Sequence, residues 1–361
     1  MEWYAWHLIE QLKTQSANLK TEEPIQFILY SDTALTGELA DLPKNWSVKI
    51  LAWPPKRLWT QFRLSWEMLF HPPDVLWVPA HVFPLIHPKK TVLTVHDVAA
   101  RRFPYAYSWW ERWYSLWSAR FALKHLWKII TPSEFTKSEL TSDFRLQTSD
   151  KIVVVHHGYD SRCRKFEDES ALEAVLKKYN IKRPFIMSVG RLEAKKNTVN
   201  IIRAFNQLRG SYKLSAISYQ LALIGNPGWG YEQVAEAIVQ SAYKHDIRLL
   251  GWIPPEDIAL ILNAAEVFVF PSFYEGFGLP VLEAMACGTP VVAGAGSSLE
   301  EVGGDCAVYV DPLNTDEIAK VIERLFTDTA CRNSLVAQGL ARVKNFSWER
   351  AARETLAVLL S

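Results

Sequence analysis

The sequence is poor in cysteine, and the cysteines it has are scattered over its 361 residues. They form no Cys-x-x-Cys pair and no cluster with histidine at metal-ligand spacing, so they indicate neither a disulfide framework nor a zinc site. This usage predicts a reduced, cytoplasmic protein. The cysteines are Cys163, Cys287, Cys306 and Cys331.

Long apolar runs and a large net charge are also missing. No stretch approaches the roughly 18 consecutive apolar residues of a spanning helix. Residues 1–10 lack the basic start and apolar segment of a signal peptide. The formal net charge is +1, which gives no overall field toward nucleic acid, and no nucleic-acid partner is expected. We expect any membrane contact to be peripheral, at the inner face.

Short apolar runs alternate with helix-like segments along the whole chain. Parallel strands covered by helices on both faces read as such continuous runs, and the length suits two domains. We therefore predict an α/β fold with two Rossmann-like domains, at 1–160 and 161–345, and a closing segment at 346–361 in which 348–360 read as a helix. Two such sheets would face across a cleft that binds ligands. The runs are 25–30, 48–53, 74–79, 91–95, 128–131, 152–156, 185–189, 220–224, 248–252, 267–271, 290–293 and 307–310.

The most specific motif is FPSFYEGFGLPVLEAMACGTPVV at 270–292, in which Glu275 and Glu283 lie eight positions apart. Glycines between them allow close backbone approach to a ligand, and the amides of the following helix start favour an anion. The motif closely resembles the glutamate signature of retaining GT-B glycosyltransferases of the family 4 type, which use nucleotide-sugar donors.

The resemblance implies roles for individual residues of this motif. Glu275 would contact the donor sugar, Glu283 would bind the ribose, and the backbone of residues 277–279 would hold sugar and phosphate. A purely structural interpretation makes Glu283 a favourable first-turn acid and the glycines a tight turn. Glu275 could also act as a nucleophile, although we favour a ligand role. The three backbone positions are Phe277, Gly278 and Leu279.

A second motif, SVGRLEAKKNTVN at 188–200, places a basic loop between a strand that ends at Gly190 and a helix start. We assign Gly190 to donor binding. In the resembling family, the positions of Arg191 and Lys196 bind the donor diphosphate and neutralise the charge of the departing nucleotide. The alternative is a solvated basic loop, an interpretation that suits Lys195 better. No Asp-x-Asp motif occurs, so we expect neither a metal nor another cofactor.

Two weaker segments also match the family. In LIGNPGWG at 223–230, Gly225 would approach the donor, and in LLGWIP at 249–254, Trp252 and Ile253 would contact the nucleobase. A glycine after a strand is commonly only a turn signal. Their order and spacing relative to the two stronger motifs support the assignment.

In the first half, TVLTVHD at 91–97 places His96 and Asp97 at the carboxyl end of a strand. The family has a histidine that contacts the donor sugar at such a position, whereas a lone histidine is more often structural. His157 and Gly158 follow another strand. We assign them, with Asp97, to the acceptor side.

The segment 103–127 interleaves tryptophan and tyrosine with arginine. Such a composition suits a membrane interface, and it equally suits a helix that packs large aromatics into a core. The family pattern normally opens with a strand and a glycine-rich loop, whereas this sequence reads as a helix over 2–12 from its start. This departure leads us to expect impaired turnover as one alternative.

The function implied by the resemblance is metal-independent, retaining transfer of a hexose to a glycan or lipid-linked acceptor in polysaccharide biosynthesis. Mannose is the first donor expected, because the His96–Asp97 segment followed by Phe103–Pro104 resembles mannosyl- and rhamnosyl-transferring relatives. Two alternatives remain. One is a GT-B-fold nucleotide-sugar epimerase, and the other is a donor-binding relative without turnover.

Overall fold

The computed structural model describes residues 2–17, 24–53, 58–80, 82–143, 150–211 and 218–361. The chain divides into two compact units. Unit 1 comprises Met1–Gly158 and Phe346–Ser361, and unit 2 comprises Tyr159–Asn345. The boundary between Gly158 and Tyr159 lies two residues before the predicted one.

Unit 2 contains a parallel six-stranded sheet in the order β12-β11-β10-β7-β8-β9. This is the doubly wound order in which the strand sequence reverses between two central strands, here β7 and β10. The apolar runs of the sequence lie at these strands because helices cover both faces of the sheet. The strands are β7 (Phe185–Val189), β8 (Gln220–Ile224), β9 (Ile247–Gly251), β10 (Val267–Phe270), β11 (Val291–Gly294) and β12 (Val308–Val310).

The buried faces of α7 and α12 join the strand side chains of unit 2 in one hydrophobic core. In α7, buried Ile201, Phe205 and Leu208 recur at helical spacing. In α12, the side chain of Asn314 accepts from the amide of Glu317 and caps the helix start. The helices are α6 (Glu169–Lys178), α7 (Thr198–Gly210), α8 (Tyr231–Gln240), α9 (Pro255–Ala264), α10 (Leu279–Ala286), α11 (Ser298–Gly303), α12 (Thr315–Thr327) and α13 (Thr329–Arg342).

The strands of unit 1 form two parallel sheets among the described residues. We expected one sheet, but β1 and β2 pair only with each other, and β3-β4-β5-β6 form a separate ladder. The predicted apolar runs nevertheless coincide with strands. These are β1 (Phe27–Ser31), β2 (Trp46–Ile50), β3 (Val75–Val78), β4 (Lys90–Thr94), β5 (Lys128–Thr131) and β6 (Ile152–Val154).

The first and last helices of the chain pack against each other within unit 1. The ring of His7 stacks on Trp348 with centroids 5.0 Å apart. The Gln15 amide donates to the Glu349 carbonyl at 2.7 Å. The first helix extends four residues beyond its predicted end, and the last has its predicted bounds. The helices are α1 (Glu2–Ser16), α2 (Ser65–Phe70), α3 (Ala99–Arg102), α4 (Trp109–His125), α5 (Glu134–Asp143) and α14 (Trp348–Leu360).

A π-helical turn over Thr60–Leu64 leads into α2. Within the described ranges, no helix combines the length and the apolar content needed to cross a bilayer.

Candidate functional site

The two strongest sequence motifs follow the two central strands of unit 2. The loop that starts at Gly190 leaves β7, and the loop that starts at Pro271 leaves β10. These strands are neighbours in the sheet, and their order reverses between them. Ligands of doubly wound sheets bind outside the carboxyl ends of the strands at such a switch point. The topology therefore brings both motifs to the position where this architecture binds ligands.

The carboxyl ends of β7 and β8 approach each other closely through two glycines. A Cβ atom built at Gly225 would lie 2.0 Å from the carbonyl oxygen of Gly190. Gly225 has φ of 138°, and the Gly190 amide donates to the carbonyl of Ile224. Only glycine fits this contact, so both predicted donor-binding glycines also have a structural role.

Asn197 joins three loops at this edge of the sheet. It is 4% exposed and left-handed, with φ of 60°, a conformation that asparagine tolerates better than most residues. Its side-chain amide donates to the carbonyl of Pro271 at 3.0 Å and to that of Pro312 at 2.6 Å. Asn197 therefore fixes the loop after β7 against those after β10 and β12.

Lys196 and Glu275 form an ion pair between the two motifs. The Lys196 Nζ lies 2.5 Å from Glu275 Oε1, and the two side chains are 18% and 11% exposed. Ser272 donates its hydroxyl to the same carboxylate oxygen at 2.7 Å. The Lys196 ammonium also lies over the Phe270 ring, 5.0 Å from its centroid. The residues predicted to bind diphosphate and sugar thus meet in one largely buried cluster.

The first residue of α11, Ser298, holds the Gly-Phe-Gly loop in place. Ser298 is fully buried, and its hydroxyl lies 2.8 Å from the carbonyl of Glu275 and 3.0 Å from that of Phe277, as a donor to either. Gly278 has φ of 104°, and a Cβ there would clash with Leu299. Helix α10 begins at Leu279. Its second residue, Pro280, has no amide, and the Val281 amide donates to the Gly278 carbonyl at 3.0 Å. The positive end of the helix dipole at this start favours an anion.

The remaining donor-side candidates lie at the same edge of the sheet. Arg191 follows Gly190 directly, and its side chain is exposed. Trp252 and Ile253 follow β9, where Trp252 is 68% exposed and Ile253 is 1% exposed. The Gly225 amide donates to the Gly251 carbonyl at 2.8 Å, which joins the ends of β8 and β9.

Glu283 lies on α10 in an environment that disfavours its charge. Burial, the largest cause, and the neighbouring Asp160 raise the pKa of Glu283 to about 7, while Arg162 opposes the shift. Asp160 is 5% exposed, and Arg162 Nε donates to both of its carboxylate oxygens, at 2.9 and 3.0 Å. A hydroxyl that donates to Glu283 would favour the ionised form.

In the part of the chain that the structure describes, no three His, Cys, Asp or Glu side chains form a group that could hold a metal ion.

In unit 1, His96 and Asp97 lie just beyond β4, as the sequence predicts. His96 Nε2 lies 3.0 Å from the Pro79 carbonyl, which can only accept, so this nitrogen carries the proton in the contact. The Tyr4 ring packs edge-on against His96 with centroids 4.6 Å apart. The Asp97 carboxylate accepts at 2.9 Å from the amide of Ala99, two residues further on and the first residue of α3.

His157 and Gly158 pack against the start of α14. His157 is 5% exposed and stacks on Trp348 with centroids 5.5 Å apart. Burial, followed by the neighbouring His96 and His156, lowers the pKa of His157 well below its ordinary value. A Cβ at Gly158 would lie 2.2 Å from the backbone nitrogen of Trp348. The structure therefore gives both residues a packing role, which the sequence did not indicate.

Sequence reasoning missed several residues that shape the site. Ser298 had a usable signal, because Ser297, Ser298 and Glu300 form a helix-start pattern directly after β11. Asn197 follows two lysines before a helix and could have been identified as a left-handed residue. Asp160 and Arg162 lie in a polar stretch and gave no signal.

Two family models match the chain. The model "Glycosyltransferase Family 4" matches residues 30–162, and the model "Glycosyl transferases group 1" matches residues 173–342. O-antigen chain mannosyltransferase B of Escherichia coli is 31% identical over 304 residues, which are 84% of this chain and 76% of that protein.

Solved structures support the fold. WaaG, a glycosyltransferase involved in lipopolysaccharide biosynthesis, aligns with a TM-score of 0.71 and 13% identity, covering 98% of this chain and 95% of that one. Anabaena HepE in complex with UDP and glucose aligns with a TM-score of 0.71 and 16% identity, covering 93% and 100%. The predicted GT-B fold with parallel α/β sheets is confirmed. The chain therefore belongs to the group 1 glycosyltransferases of family 4 and is a glycosyltransferase enzyme.

Proposed function

We propose that the protein transfers a hexose from a nucleoside-diphosphate sugar, held by unit 2, to a glycan or lipid-linked acceptor. The anomeric configuration is retained, and no metal takes part. The observation that carries the proposal is the Lys196–Glu275 ion pair at the switch point, next to the start of α10. A cation, a carboxylate and helix amides are the groups needed to hold a sugar diphosphate.

Lys196 and Arg191 would bind the diphosphate. Glu275 pairs with Lys196, and an arriving diphosphate would take over part of that interaction. Arg191 is exposed at the end of β7 and would approach from the same loop. As the bond between the anomeric carbon and the diphosphate oxygen breaks, negative charge grows on the departing nucleotide, and the two cations would stabilise it.

Glu275 would act as a hydroxyl ligand of the sugar. Its carboxylate is held by Ser272 and Lys196, and these two contacts fix its orientation. In the proposed step, the acceptor oxygen attacks the anomeric carbon on the face that the diphosphate leaves, and the acceptor proton passes to the departing phosphate oxygen. Glu283 would accept from the ribose hydroxyls.

His96 remains a candidate for sugar contact from unit 1. Its Nε2 is engaged by the Pro79 carbonyl and its ring is packed by Tyr4, so its orientation is fixed before any ligand binds. Asp97 remains a candidate on the acceptor side, next to His96.

Mannose is the proposed sugar. Its support is the name of the 31% identical E. coli relative, a mannosyltransferase of O-antigen chains. WaaG acts in lipopolysaccharide biosynthesis, which supports a polysaccharide or lipid-linked acceptor. The UDP complex of HepE makes uridine nucleotides the comparison donors in any screen.

The test is a transfer assay with GDP-mannose and UDP-glucose against glycan and lipid-linked acceptors, with and without EDTA, in which NMR reads the product anomer. The proposal expects one donor to be consumed, the nucleoside diphosphate to be released and the donor configuration to be kept in the product, with no effect of EDTA. An inverted product or a strict metal requirement would contradict it. An altered sugar nucleotide formed without acceptor would identify an epimerase, and binding without turnover would identify an impaired relative.

A further inference from the structure

Helix α4 exposes a row of tryptophan rings. Trp109, Trp110 and Trp113 are 77%, 54% and 51% exposed. The rings of Trp110 and Trp113 stack with centroids 5.1 Å apart, and Trp113 continues the stack onto Trp117 at 6.0 Å. Large aromatic side chains at this exposure are unusual on a surface that contacts only water.

The row is supported from within unit 1. Trp117 stacks on Phe83 at 6.0 Å, and Phe121 stacks on the same ring at 5.1 Å. The opposite side of α4 is buried through small residues and one leucine. Core packing therefore accounts for the opposite side of α4 but not for the three outer tryptophans. The buried positions are Ser118, Ala119, Ala122 and Leu123.

A second exposed apolar row lies on the π-helical turn and α2. Phe62, Trp66 and Phe70 recur every four residues and are 52%, 61% and 56% exposed. The Gln61 amide donates to the Tyr114 hydroxyl at 3.0 Å, which joins this segment to α4.

A loop adds two more exposed apolar side chains to the same region. Leu85 and Ile86 are 48% and 44% exposed. The Ile86 amide donates to the Ser65 hydroxyl at 3.3 Å, and Phe83 of this loop packs on α4. We define the aromatic face as Phe62, Trp66, Phe70, Leu85, Ile86, Trp109, Trp110 and Trp113.

The charge on α4 next to the aromatic face is positive. Arg120 and Lys124 follow Trp113 and Trp117 by seven residues each, so they lie on the tryptophan side of the helix, and both are exposed. Glu111, at the helix start, accepts from the amide and hydroxyl of Ser108 in a capping box.

We propose that the aromatic face binds the surface of a membrane that contains anionic phospholipid. Tryptophan suits the boundary between headgroups and acyl chains, and arginine and lysine beside it attract anionic lipid. A second copy of the chain is the less favoured occupant, because a two-fold contact through this face would bring the same cations together. The proposal does not depend on the glycosyl transfer reaction.

The test is sedimentation of the full chain with vesicles of phosphatidylcholine alone and with vesicles containing one third phosphatidylglycerol. We expect binding to the anionic vesicles that weakens with salt. Replacing all three outer tryptophans (W109S/W110S/W113S) should lower the partition coefficient by about tenfold or more. R120E/K124E should weaken binding to the vesicles that contain phosphatidylglycerol and should not change binding to those of phosphatidylcholine alone.

The matched control is V239S/L313S, which removes side chains that are 70% and 74% exposed on unit 2 and should leave vesicle binding unchanged. The melting temperature and the far-ultraviolet circular dichroism of each variant serve as the folding check. Quenching of the native protein's tryptophan fluorescence by brominated lipid needs no variant and should be present. Absence of binding and quenching with both vesicles, or equal binding by the triple variant, would overturn the proposal. A dimer that the triple variant abolishes, without vesicle binding, would identify a second copy as the occupant.

Discussion

The Nζ of Lys196 lies 2.5 Å from Oε1 of Glu275, across 79 residues of sequence. The two loops that carry these residues leave neighbouring strands whose order reverses between them. The pair therefore joins the predicted phosphate-binding motif to the predicted sugar-binding motif within one unit.

Replacing Lys196 by alanine should reduce kcat/KM for the donor on the order of 100-fold to 1,000-fold, because the departing diphosphate loses its cation. The matched control is Lys195→Ala. Lys195 serves the site through its backbone carbonyl, which accepts from the Phe273 amide at 3.0 Å and which the substitution keeps. Steady-state kinetics on both variants give the two kcat/KM values to be compared. Equal, small effects would remove Lys196 from the mechanism.

Replacing Glu275 by glutamine should separate sugar handling from nucleotide binding. The variant releases Lys196 from its ion pair, so calorimetry should find the affinity for a nucleoside diphosphate unchanged or higher. Turnover should fall on the order of 100-fold, because the sugar loses an orienting acceptor. A large loss of nucleotide affinity would instead mean that Glu275 mainly holds the loop in place.

Glu283 makes binding of a nucleotide sugar depend on pH. Its pKa is about 7, and the ionised carboxylate accepts from ribose hydroxyls more strongly than the protonated carboxyl does. Affinity should therefore rise about tenfold from about pH 6 to about pH 8. Calorimetry in buffers of different ionisation enthalpy should detect proton release. A nucleotide sugar is the right ligand, because its diphosphate does not titrate in this range. Glu283→Gln should abolish the dependence, and an unchanged slope in that variant would exclude Glu283 as its source.

The same shift has a consequence for stability. A carboxyl whose pKa is raised by folding stabilises the protein at low pH, and this contribution is lost as pH rises through about 7. The melting temperature of Glu283→Gln relative to the native chain should therefore increase from acidic to alkaline pH. A constant difference across that range would contradict the raised pKa of Glu283.

Replacing Gly225 by alanine should destabilise unit 2 by about 3 kcal/mol or more, because the added Cβ meets the Gly190 carbonyl at 2.0 Å. Gly296 is the matched control. It also has a positive φ, of 80°, but a Cβ there meets nothing within 4 Å. Gly296→Ala should therefore cost only about 1 to 2 kcal/mol of backbone strain. Thermal and urea unfolding compare the two, and similar losses would argue against the close contact.

Much of the fold could be predicted from apolar runs alone. The strands β7 and β8 and the helix α14 have their predicted bounds, because buried parallel strands and amphipathic helices leave direct patterns in sequence. The separation of β1 and β2 from the other strands of unit 1 could not be predicted, since it depends on hydrogen-bond pairing between strands and not on their composition.

The candidate site, like the fold, could be predicted from the sequence only in part. The family motif identified Lys196 and Glu275, but their contact depends on strand order, which no local pattern specifies. The environments of His157 and Glu283 depend on residues distant in sequence, Trp348 for the first and Asp160 for the second. The exposure of Trp109 could not be predicted either, because a tryptophan-rich helix has the same composition whether its tryptophans face the core or the surface.

The most direct test of donor binding by unit 2 is calorimetry with UDP, GDP, ADP and dTDP on the native chain and on Lys196→Ala, with and without EDTA. Ligand that binds the folded state also raises the melting temperature, which gives a second readout. We predict that one nucleotide binds the native chain preferentially, equally well with EDTA, and that Lys196→Ala weakens it. Absence of binding by all four nucleotides, or binding that Lys196→Ala leaves intact, would contradict the account.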